Sequence, residues 1–275
     1  MEGIKLSETR KIRIENLSES NIEDLIHVCS SKRLSDPAHV KGVEIKKRWL
    51  LDMLKRFGSV AKIAYLDDRP VAQILYYPED SNPTSLSTRK GVLNILCIYN
   101  PIPAAQRLGI GNRLLQSVIE DAKQGKICLG NETCTFIVTK AFDTGESLCL
   151  SEFYKKHGFL KAENDELLYL PIHGTYEQNR STGEYRPLLE DRNKALVFYS
   201  PQCQFSYQFA TRISETIKEV APEVSIELIN ADERPEEFLK RKGCSLIVNA
   251  RPIRTFFMET EKFKEEIRQA IHKKR

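Results

Sequence analysis

The stretch QRLGIG, residues 106–111, places two glycines two positions apart at the start of an amphipathic segment. Glycine has no side chain, so backbone amides can converge around it. A helix N-terminus adds unpaired N–H donors and a partial positive charge, and together these features can hold a phosphate or a diphosphate. The same pattern fits a tight turn that needs only a positive φ. The spacing alone therefore leaves an anion site and a purely structural turn equally open.

Two common nucleotide-binding loops do not fit this stretch. A dinucleotide-binding loop has a third glycine, in the pattern G-x-G-x-x-G, and directly follows the first strand of its domain. A P-loop needs a Gly-Lys-Ser/Thr sequence. Here both signatures are missing, and the loop follows what reads as the fourth strand of the chain. The context therefore argues against both classes of loop.

A second stretch with chemical potential is FYKKHGF, residues 153–159. The two stretches together resemble the GNAT family of N-acetyltransferases. Gln106, Gly109 and Gly111 match the family's acetyl-CoA-binding motif, Q/R-x-x-G-x-G/A, and FYKKHGF is similar to its second motif, F-Y-x-K-x-G-F. The order of elements, with a strand, two helices, three strands, the glycine loop and its helix, a strand, a helix and a strand, is also the family's order. The resemblance covers about residues 10–172.

The resemblance implies transfer of an acetyl group from acetyl-CoA to an amine by direct attack on the thioester. The central strand would diverge from its neighbour, and its backbone would hold the pantetheine arm and polarise the thioester carbonyl. The glycine loop would hold the pyrophosphate, and Tyr154 would protonate the departing CoA thiolate. The residues implied in acetyl-CoA binding are Cys97, Ile98, Tyr99, Gln106, Arg107, Leu108, Gly109, Ile110, Gly111, Asn112 and Ser147.

Two positions depart from the family's pattern. Ser147 stands where an asparagine that contacts CoA is common, and Arg107 stands where a glycine is common. The general base, which would take a proton from the attacking amine, is not assigned by any motif. A base acting through water is one alternative, and the side-chain candidates near predicted strand ends are Glu79, Asp80 and Asp143.

Cys203 marks a third stretch of interest, VFYSPQCQFSYQF, residues 197–209. It lies between a predicted strand and a predicted helix, and the dipole at a helix N-terminus favours a thiolate. The region resembles the small thioredoxin-like (YoaP-like) domain found behind some GNAT domains. The resemblance covers about residues 193–272 and implies the element order β-α-β-α-β-β-α.

This stretch departs from redox-active thioredoxins in two places. Ser206 stands at the position of the resolving cysteine, so the motif itself offers no dithiol cycle. Cys244 stands at the position of the cis-proline, which in that fold lies beside the first cysteine. Three interpretations of Cys203 and Cys244 stay open: a redox site, a metal or thiol-ligand site, and a redox-silent module for docking or for positioning a substrate.

Hydrophobic periodicity predicts the elements that must position these residues. A nearly continuous apolar run, residues 91–100, predicts a central strand, and a hairpin turn is predicted at residues 67–70. The fold class is α/β (α+β), with a mixed, splayed central sheet and a smaller second domain. We expect an acetyltransferase domain over residues 1–173, a linker or edge extension over 174–192, and a thioredoxin-like domain over 193–275.

Composition narrows the classes of function. The chain has 275 residues, a net charge of +4 and interleaved charges of both signs, which argues against a nucleic-acid partner. Its seven scattered cysteines include no CxxC pair, which argues against a disulfide framework and a metal site. No apolar run is long enough for a membrane span, and the N-terminal residues lack the apolar core of a signal peptide, so a cytoplasmic protein is expected.

Three functions from different classes follow from these observations. The first is an N-acetyltransferase that uses acetyl-CoA as co-substrate and takes a small-molecule or peptide amine as acceptor. The second is a non-catalytic sensor that binds acyl-CoA. The third is a thiol-redox protein that uses Cys203 and carries a degenerate GNAT domain.

Overall fold

In a computed structural model of the chain, the described residues are 10–30, 35–86, 89–127, 129–130, 132–141, 149–163, 167–178 and 183–272. The packing of the chain defines two compact units. Unit 1 comprises residues 1–32, 50–79 and 89–178, and unit 2 comprises residues 33–49, 80–88 and 179–275.

Unit 1 is built around a mixed seven-stranded sheet with the order β1-β2-β3-β4-β5-β7-β6. The pairing of β4 with β5 is parallel, and the other neighbouring strands are antiparallel. This confirms the prediction of a mixed sheet with a central fourth strand. The first part of α2, up to residue 49, is assigned to unit 2. The elements are β1 (Ile12–Asn16), α1 (Ile22–Ser30), α2 (Pro37–Phe57), β2 (Ala61–Leu66), β3 (Arg69–Pro78), β4 (Val92–Tyr99), α3 (Ile110–Lys123), β5 (Phe136–Lys140), α4 (Leu150–Lys156), β6 (Leu160–Lys161) and β7 (Leu167–Pro171).

The hairpin between β2 and β3 forms at the predicted turn. Asp67 and Asp68 connect the strands, and both have a positive φ, 48° and 61°. Two consecutive left-handed residues match the right-handed twist of the flanking strands, and aspartate tolerates this conformation better than most residues.

Helix α3 is fixed against the sheet by an apolar face and a buried ion pair. Five apolar residues at helical spacing form that face, and all of them are buried. Lys62 on β2, whose side chain is 5% exposed, places its Nζ 2.5 Å from Asp121 Oδ2 on α3 and 2.6 Å from Asn16 Oδ1. A buried ammonium needs such partners, so the pair holds the helix, and with it the glycine loop, in one position on the sheet. The five apolar residues are Leu114, Leu115, Val118, Ile119 and Ala122.

Unit 2 contains a second, four-stranded sheet with the order β11-β10-β8-β9. β8 and β9 are parallel, and β10 is antiparallel to β8. Helices α5 and α7 cover one face with Ile217, Phe263 and Ile267. The order of elements is the predicted β-α-β-α-β-β-α. The elements are β8 (Lys194–Tyr199), α5 (Gln204–Val220), β9 (Ser225–Asn230), α6 (Pro235–Lys240), β10 (Leu246–Val248), β11 (Arg251–Pro252) and α7 (Thr260–His272).

Parts of the segment predicted as a linker pack against the two units. Tyr176 stacks on Tyr169 in unit 1, with ring centroids 4.2 Å apart. In unit 2, the Tyr185 hydroxyl donates to Asp191 Oδ2 at 2.8 Å, and the buried Asp191 pairs with Arg241. Residues 174–178 therefore belong to unit 1 and residues 183–192 to unit 2.

None of the helices in the described part of the chain is both long enough and apolar enough to cross a membrane.

Candidate functional site

The glycine loop turns sharply into α3 through two left-handed residues. Gly109 precedes the helix with φ 72°, and Arg107 has φ 61°. The left-handed conformation costs a residue with a side chain roughly 1–2 kcal/mol, so Arg107 carries strain that a glycine would avoid. Within the described chain, no acceptor is assigned to the backbone N–H groups of residues 107–112. Six donors are thus available at the positive end of a 14-residue helix.

Side chains around the loop fix its ends and leave its rim polar. Gln106 is exposed, and its Nε2 donates to the Asn100 carbonyl oxygen at 3.2 Å. Ile110 is 1% exposed and anchors the first turn of α3, so it can offer a ligand only its backbone. Arg107 is exposed beside the N–H donors, and Leu108 is half-buried.

Gly111 brings the loop close to β4 and α4. A Cβ at this position would lie 3.7 Å from Phe153 Cζ and 4.0 Å from Ile98 Cδ1. The glycine loop and the FYKKHGF stretch, which the sequence separates by more than forty residues, therefore meet in the fold. Ile98 lies on the α3 face of the sheet.

An open cleft of about 550 Å³ lies between α3 and the end of α4. His157 Nε2 lies 3.2 Å from Asn112 Oδ1 across it. Burial lowers the pKa of His157, so the imidazole is neutral at pH 7. The positive charge at this cleft therefore comes from Arg113 and from the helix dipole. The lining residues are Asn112, Arg113, Gln116, Ser117, Glu120 and His157.

Strands β4 and β5 separate partway along β4. Their parallel pairing runs from Val92–Phe136 to Ile95–Thr139 and ends there, whereas β4 stays paired with β3 as far as Tyr99. Between Ile95 and Cys97 the β3–β4 register shifts by one residue, which is a β-bulge at Leu96. Past Ile95, the β4 edge that faces away from β3 is not covered by β5. Cys97, Ile98 and Tyr99 all lie on this uncovered length.

Tyr154 places a buried hydroxyl at the point of divergence. The side chain is 2% exposed and packs between Phe153 and Phe159, with ring centroids 5.4 and 5.1 Å away. Its hydroxyl hydrogen-bonds with Thr139, whose own Oγ1 donates to the Ile95 carbonyl oxygen at 3.0 Å. Burial raises the pKa of Tyr154, and the nearby Cys97 thiol acts in the same direction. The phenol therefore stays protonated at neutral pH and is available as a proton donor.

The candidate bases differ in how the structure places them. Both carboxylate oxygens of Glu79 accept hydrogen bonds from Arg89, at 2.7 and 2.8 Å, and the pair is buried. These contacts hold Glu79 as a salt-bridge partner, which disfavours it as a proton acceptor. Asp80 belongs to unit 2. Asp143 and the predicted cofactor contact Ser147 lie outside the described residues.

In unit 2, Cys203 and Cys244 lie in different surroundings. Cys203 precedes α5 and is exposed, the only exposed thiol among the six described cysteines. Cys244 is a free thiol that packs against an apolar cluster and donates to the Leu246 carbonyl oxygen at 3.3 Å. Burial raises the pKa of Cys244, so it is a protonated thiol at pH 7. Ser206 Oγ accepts a hydrogen bond from the Ser200 backbone N–H at 2.9 Å, which gives this serine a structural role in the turn.

The raised pKa of one carboxyl group in unit 2 predicts how the stability of the protein depends on pH. Asp232 follows β9, and burial, with Glu233 acting in the same direction, raises its pKa to about 6. Its folded pKa thus lies above its unfolded one, so the native state holds this proton more tightly. The stability this supplies is present below about pH 4 and is lost as the pH rises through about 6.

Asp232→Asn should therefore stabilise the protein at pH 7. Because the side chain is partly exposed, we expect a gain of about 1–2 kcal/mol at pH 7 and almost none at pH 4. Urea unfolding at the two pH values measures both. Glu233→Gln, an exposed neighbour, serves as the control and should give a smaller gain. An equal gain from Asp232→Asn at pH 4 and pH 7 would contradict this explanation.

Among the described residues, no group of three or more His, Cys, Asp or Glu side chains is arranged to hold a metal ion.

Three residues of the site were not found by sequence reasoning. Thr139 and Gln73 are polar residues within otherwise apolar strands, and both are 1% exposed. A polar residue within an apolar run was the sequence signal that could have identified them, because a polar side chain buried in a strand requires a hydrogen-bond partner. His157 lies inside the FYKKHGF stretch, but only the fold shows that it faces Asn112.

No protein-family model and no curated protein matches the chain. Among solved structures, it is similar to a GNAT family acetyltransferase from Brucella melitensis in complex with acetyl-CoA. The identity is 17%, the match covers 62% of this chain and 94% of that chain, and the TM-score is 0.42.

Two further structures show similar degrees of likeness. The PaiA N-acetyltransferase from Thermoplasma acidophilum, in complex with coenzyme A, is 19% identical. That match covers 58% of this chain and 99% of that chain, with a TM-score of 0.41. The ribosomal-protein-S18-alanine N-acetyltransferase from Escherichia coli is 14% identical, with coverages of 62% and 99% and a TM-score of 0.40. At these identities and scores, the reaction of this chain has to be argued from its own residues.

Proposed function

We propose that this protein is a GNAT-type N-acetyltransferase that moves the acetyl group of acetyl-CoA to an amine. The observation that carries the proposal is the meeting of three features at the end of β4. These are the separation of β4 from β5, the buried Tyr154 hydroxyl at that point, and the N–H donors of residues 107–112 at the start of the next helix. They provide, in order, room for a thioester arm, a proton for its leaving group and an anion site for a diphosphate.

The residues fit acetyl-CoA in charge and in hydrogen-bonding capacity. The N–H groups of residues 107–112 would bind the pyrophosphate, helped by the helix dipole and by Arg107 and Arg113. The β4 backbone from Cys97 to Tyr99 would hold the pantetheine amide groups and donate to the thioester carbonyl oxygen. Ser147 stays a proposed contact to CoA.

In the proposed reaction, a neutral amine attacks the thioester carbonyl carbon. The negative charge that develops on the carbonyl oxygen is stabilised by β4 amides. The C–N bond forms and the C–S bond breaks. Tyr154 then donates its proton to the departing thiolate. The proton lost by the nitrogen passes through water to the Tyr154 phenolate and restores the phenol. Glu79 takes no part because Arg89 occupies its oxygens.

Amine-dependent release of CoA thiol tests this function. Purified full-length protein is mixed with acetyl-CoA and one of five probes: spermidine, tyramine, glucosamine, a peptide with an N-terminal alanine, and a peptide with an internal lysine. We expect at least one amine to accelerate thiol release and to gain an acetyl group by mass spectrometry. Acetyl-CoA binding in calorimetry without transfer to any probe would favour the sensor. Absence of binding would favour the thiol-redox alternative.

For unit 2, we propose a thioredoxin-like module that docks or positions a substrate without redox chemistry. The sheet order, the parallel β8–β9 pair and the start of α5 directly after Cys203 support a thioredoxin-like arrangement. The raised pKa of Cys244 keeps this thiol protonated, so it does not provide a second thiolate for Cys203. Ser206, which stands at the position of the resolving cysteine, makes a structural hydrogen bond and has no thiol. On this basis we propose residues 1–173 as the acetyltransferase domain and 193–275 as the thioredoxin-like domain. Residues 174–192 connect them, with 174–178 assigned to unit 1 and 183–192 to unit 2.

Thiol titration of the full chain tests the redox-silent assignment. The rate of reaction with 5,5′-dithiobis(2-nitrobenzoate) at pH 7 is compared among wild type, Cys203→Ser and glutathione. The thiol signal that is lost in Cys203→Ser belongs to Cys203. We expect this thiol to react no faster than glutathione. A reaction about tenfold faster or more would show an activated thiolate and support the redox alternative.

A further inference from the structure

Gln73 on β3 carries a buried amide oxygen that has no hydrogen-bond partner in the described part of the chain. The side chain is 1% exposed. Its Nε2 donates to Cys97 Sγ at 3.4 Å, which directs Oε1 to the other side of the amide group. Oε1 itself is buried, and no donor among the described residues reaches it. Such a group costs free energy in the folded protein unless something supplies a hydrogen bond.

The strand register shows which face of the sheet holds this amide. Gln73 is opposite Ile63, and residues opposite each other on antiparallel strands point to the same face. Tyr65, two residues after Ile63, donates to Asp24 on α1 at 2.7 Å, so this is the α1 face. Lys62 points the other way, to Asp121 on α3. The glycine loop leads into α3 and contacts Ile98, which also points to the α3 face.

Gln73 is therefore close to the proposed thioester position but on the face opposite the diphosphate loop. It contacts Cys97, whose thiol acts electrostatically on the Tyr154 hydroxyl. It is also directly opposite Tyr99, the last residue of β4, which is 36% exposed. The residue paired with Gln73 across the sheet, Tyr99, is thus partly exposed to solvent. A group that reaches this oxygen comes from the α1 face, whereas the CoA arm would enter from the α3 face.

We propose that Gln73 is an acceptor-binding residue whose Oε1 accepts a hydrogen bond from an N–H group of the amine substrate. This inference rests on the proposed acetyltransferase function and adds a residue that selects and orients its second substrate. A neutral amide oxygen suits an uncharged amine, the form that can attack a thioester. The hydrogen bond points the amine hydrogens toward β3 and the nitrogen lone pair toward the gap between β4 and β5.

Gln73→Met tests the proposal because methionine has a similar volume and no polar end. The measurements are KM and kcat for the best amine among the five probes, KM for acetyl-CoA, the Kd of CoA by calorimetry and the thermal midpoint of the free protein. We expect the KM for the amine to rise about tenfold or more. The acetyl-CoA KM and the CoA Kd should change by less than about twofold, and the thermal midpoint should not fall, because an unpartnered polar group has been removed.

Leu75→Met on the same strand is the matched control. Leu75 is opposite Cys97 and 1% exposed, so the change tests β3 packing without touching the amide. Its amine KM should stay within about twofold of wild type. An unchanged amine KM in Gln73→Met, or an equal rise in both variants, would overturn the proposal. A weakened CoA Kd in Gln73→Met would overturn it by assigning the oxygen to a pantetheine N–H. If wild type accepts no probe, the acetyltransferase function fails, and the assignment of Gln73 fails with it.

Discussion

Tyr154→Phe should reduce kcat for acetyl transfer by about 100-fold or more, the range that general acid catalysis supplies. The hydroxyl is buried where β4 and β5 separate, and its raised pKa keeps it protonated at neutral pH. Without it, the thiolate must leave unprotonated or wait for water. The ring itself packs between Phe153 and Phe159 and is retained in phenylalanine. The Kd of acetyl-CoA should therefore change by less than about threefold.

Steady-state kinetics and calorimetry on the same preparation separate these effects. Tyr77→Phe is the matched control, since Tyr77 is also 2% exposed and its hydroxyl is engaged with Asn94 on β4, at 3.2 Å. Its kcat should stay within about twofold of wild type. A Tyr154→Phe variant with unchanged kcat would remove the phenol from the mechanism. Equal losses in both variants would indicate a packing effect.

Asn112→Asp should weaken the binding of CoA by about tenfold or more while leaving the fold intact. The change is isosteric and places a carboxylate at the first turn of α3, among the N–H donors proposed to hold the pyrophosphate. A negative charge there suits the helix dipole and stabilises the helix by about 0.3–1 kcal/mol. The same charge repels a bound diphosphate. Stability and affinity should therefore move in opposite directions, which general damage to the fold cannot produce.

Calorimetric titration with CoA and thermal unfolding measure the two effects of Asn112→Asp. Gln124→Glu is the control, because it makes the same change in net charge at the opposite end of α3. CoA affinity in this control should stay within about twofold of wild type. Raising the salt concentration should reduce the effect of Asn112→Asp, since Asn112 is exposed. An unchanged Kd in Asn112→Asp would place the pyrophosphate elsewhere.

The parts of the fold that local pattern determines were predictable from the sequence. The apolar face of α3 repeats at helical spacing, and every residue of it is buried. The hairpin at Asp67 and Asp68 follows from turn chemistry between two alternating strands. The apolar run of β4 identified the central strand of the sheet. In each of these elements, local preference and tertiary packing agree.

Other parts depend on contacts between distant residues. Helix α2 begins at Pro37, after Asp36 caps it. Glycine disfavours a helix interior, yet the structure requires a glycine at position 42, because a Cβ there would lie 2.1 Å from the Gln204 carbonyl oxygen. Strand β6 has only two residues, which is too short for a periodic signal.

The candidate site shows the same division. The glycine loop and Tyr154 were identified from motifs, whose spacing is visible in one sequence. The roles of Gln73 and Thr139 depend on which strands lie side by side, and the pairing of Glu79 with Arg89 removes a base that sequence position had suggested. A single sequence contains no direct record of such pairings. Tyr176 in the predicted linker was missed for the same reason, since its partners Tyr169 and Phe136 come from two different strands.

A crystal structure of the full chain with acetyl-CoA bound tests the central claim most directly. We expect pyrophosphate oxygens within about 2.7–3.2 Å of backbone nitrogens in residues 107–112. We also expect the pantetheine arm in the gap between β4 and β5, with the thioester sulfur within hydrogen-bond reach of the Tyr154 hydroxyl. Acetyl-CoA bound away from the glycine loop, or a thioester that Tyr154 cannot reach, would contradict it.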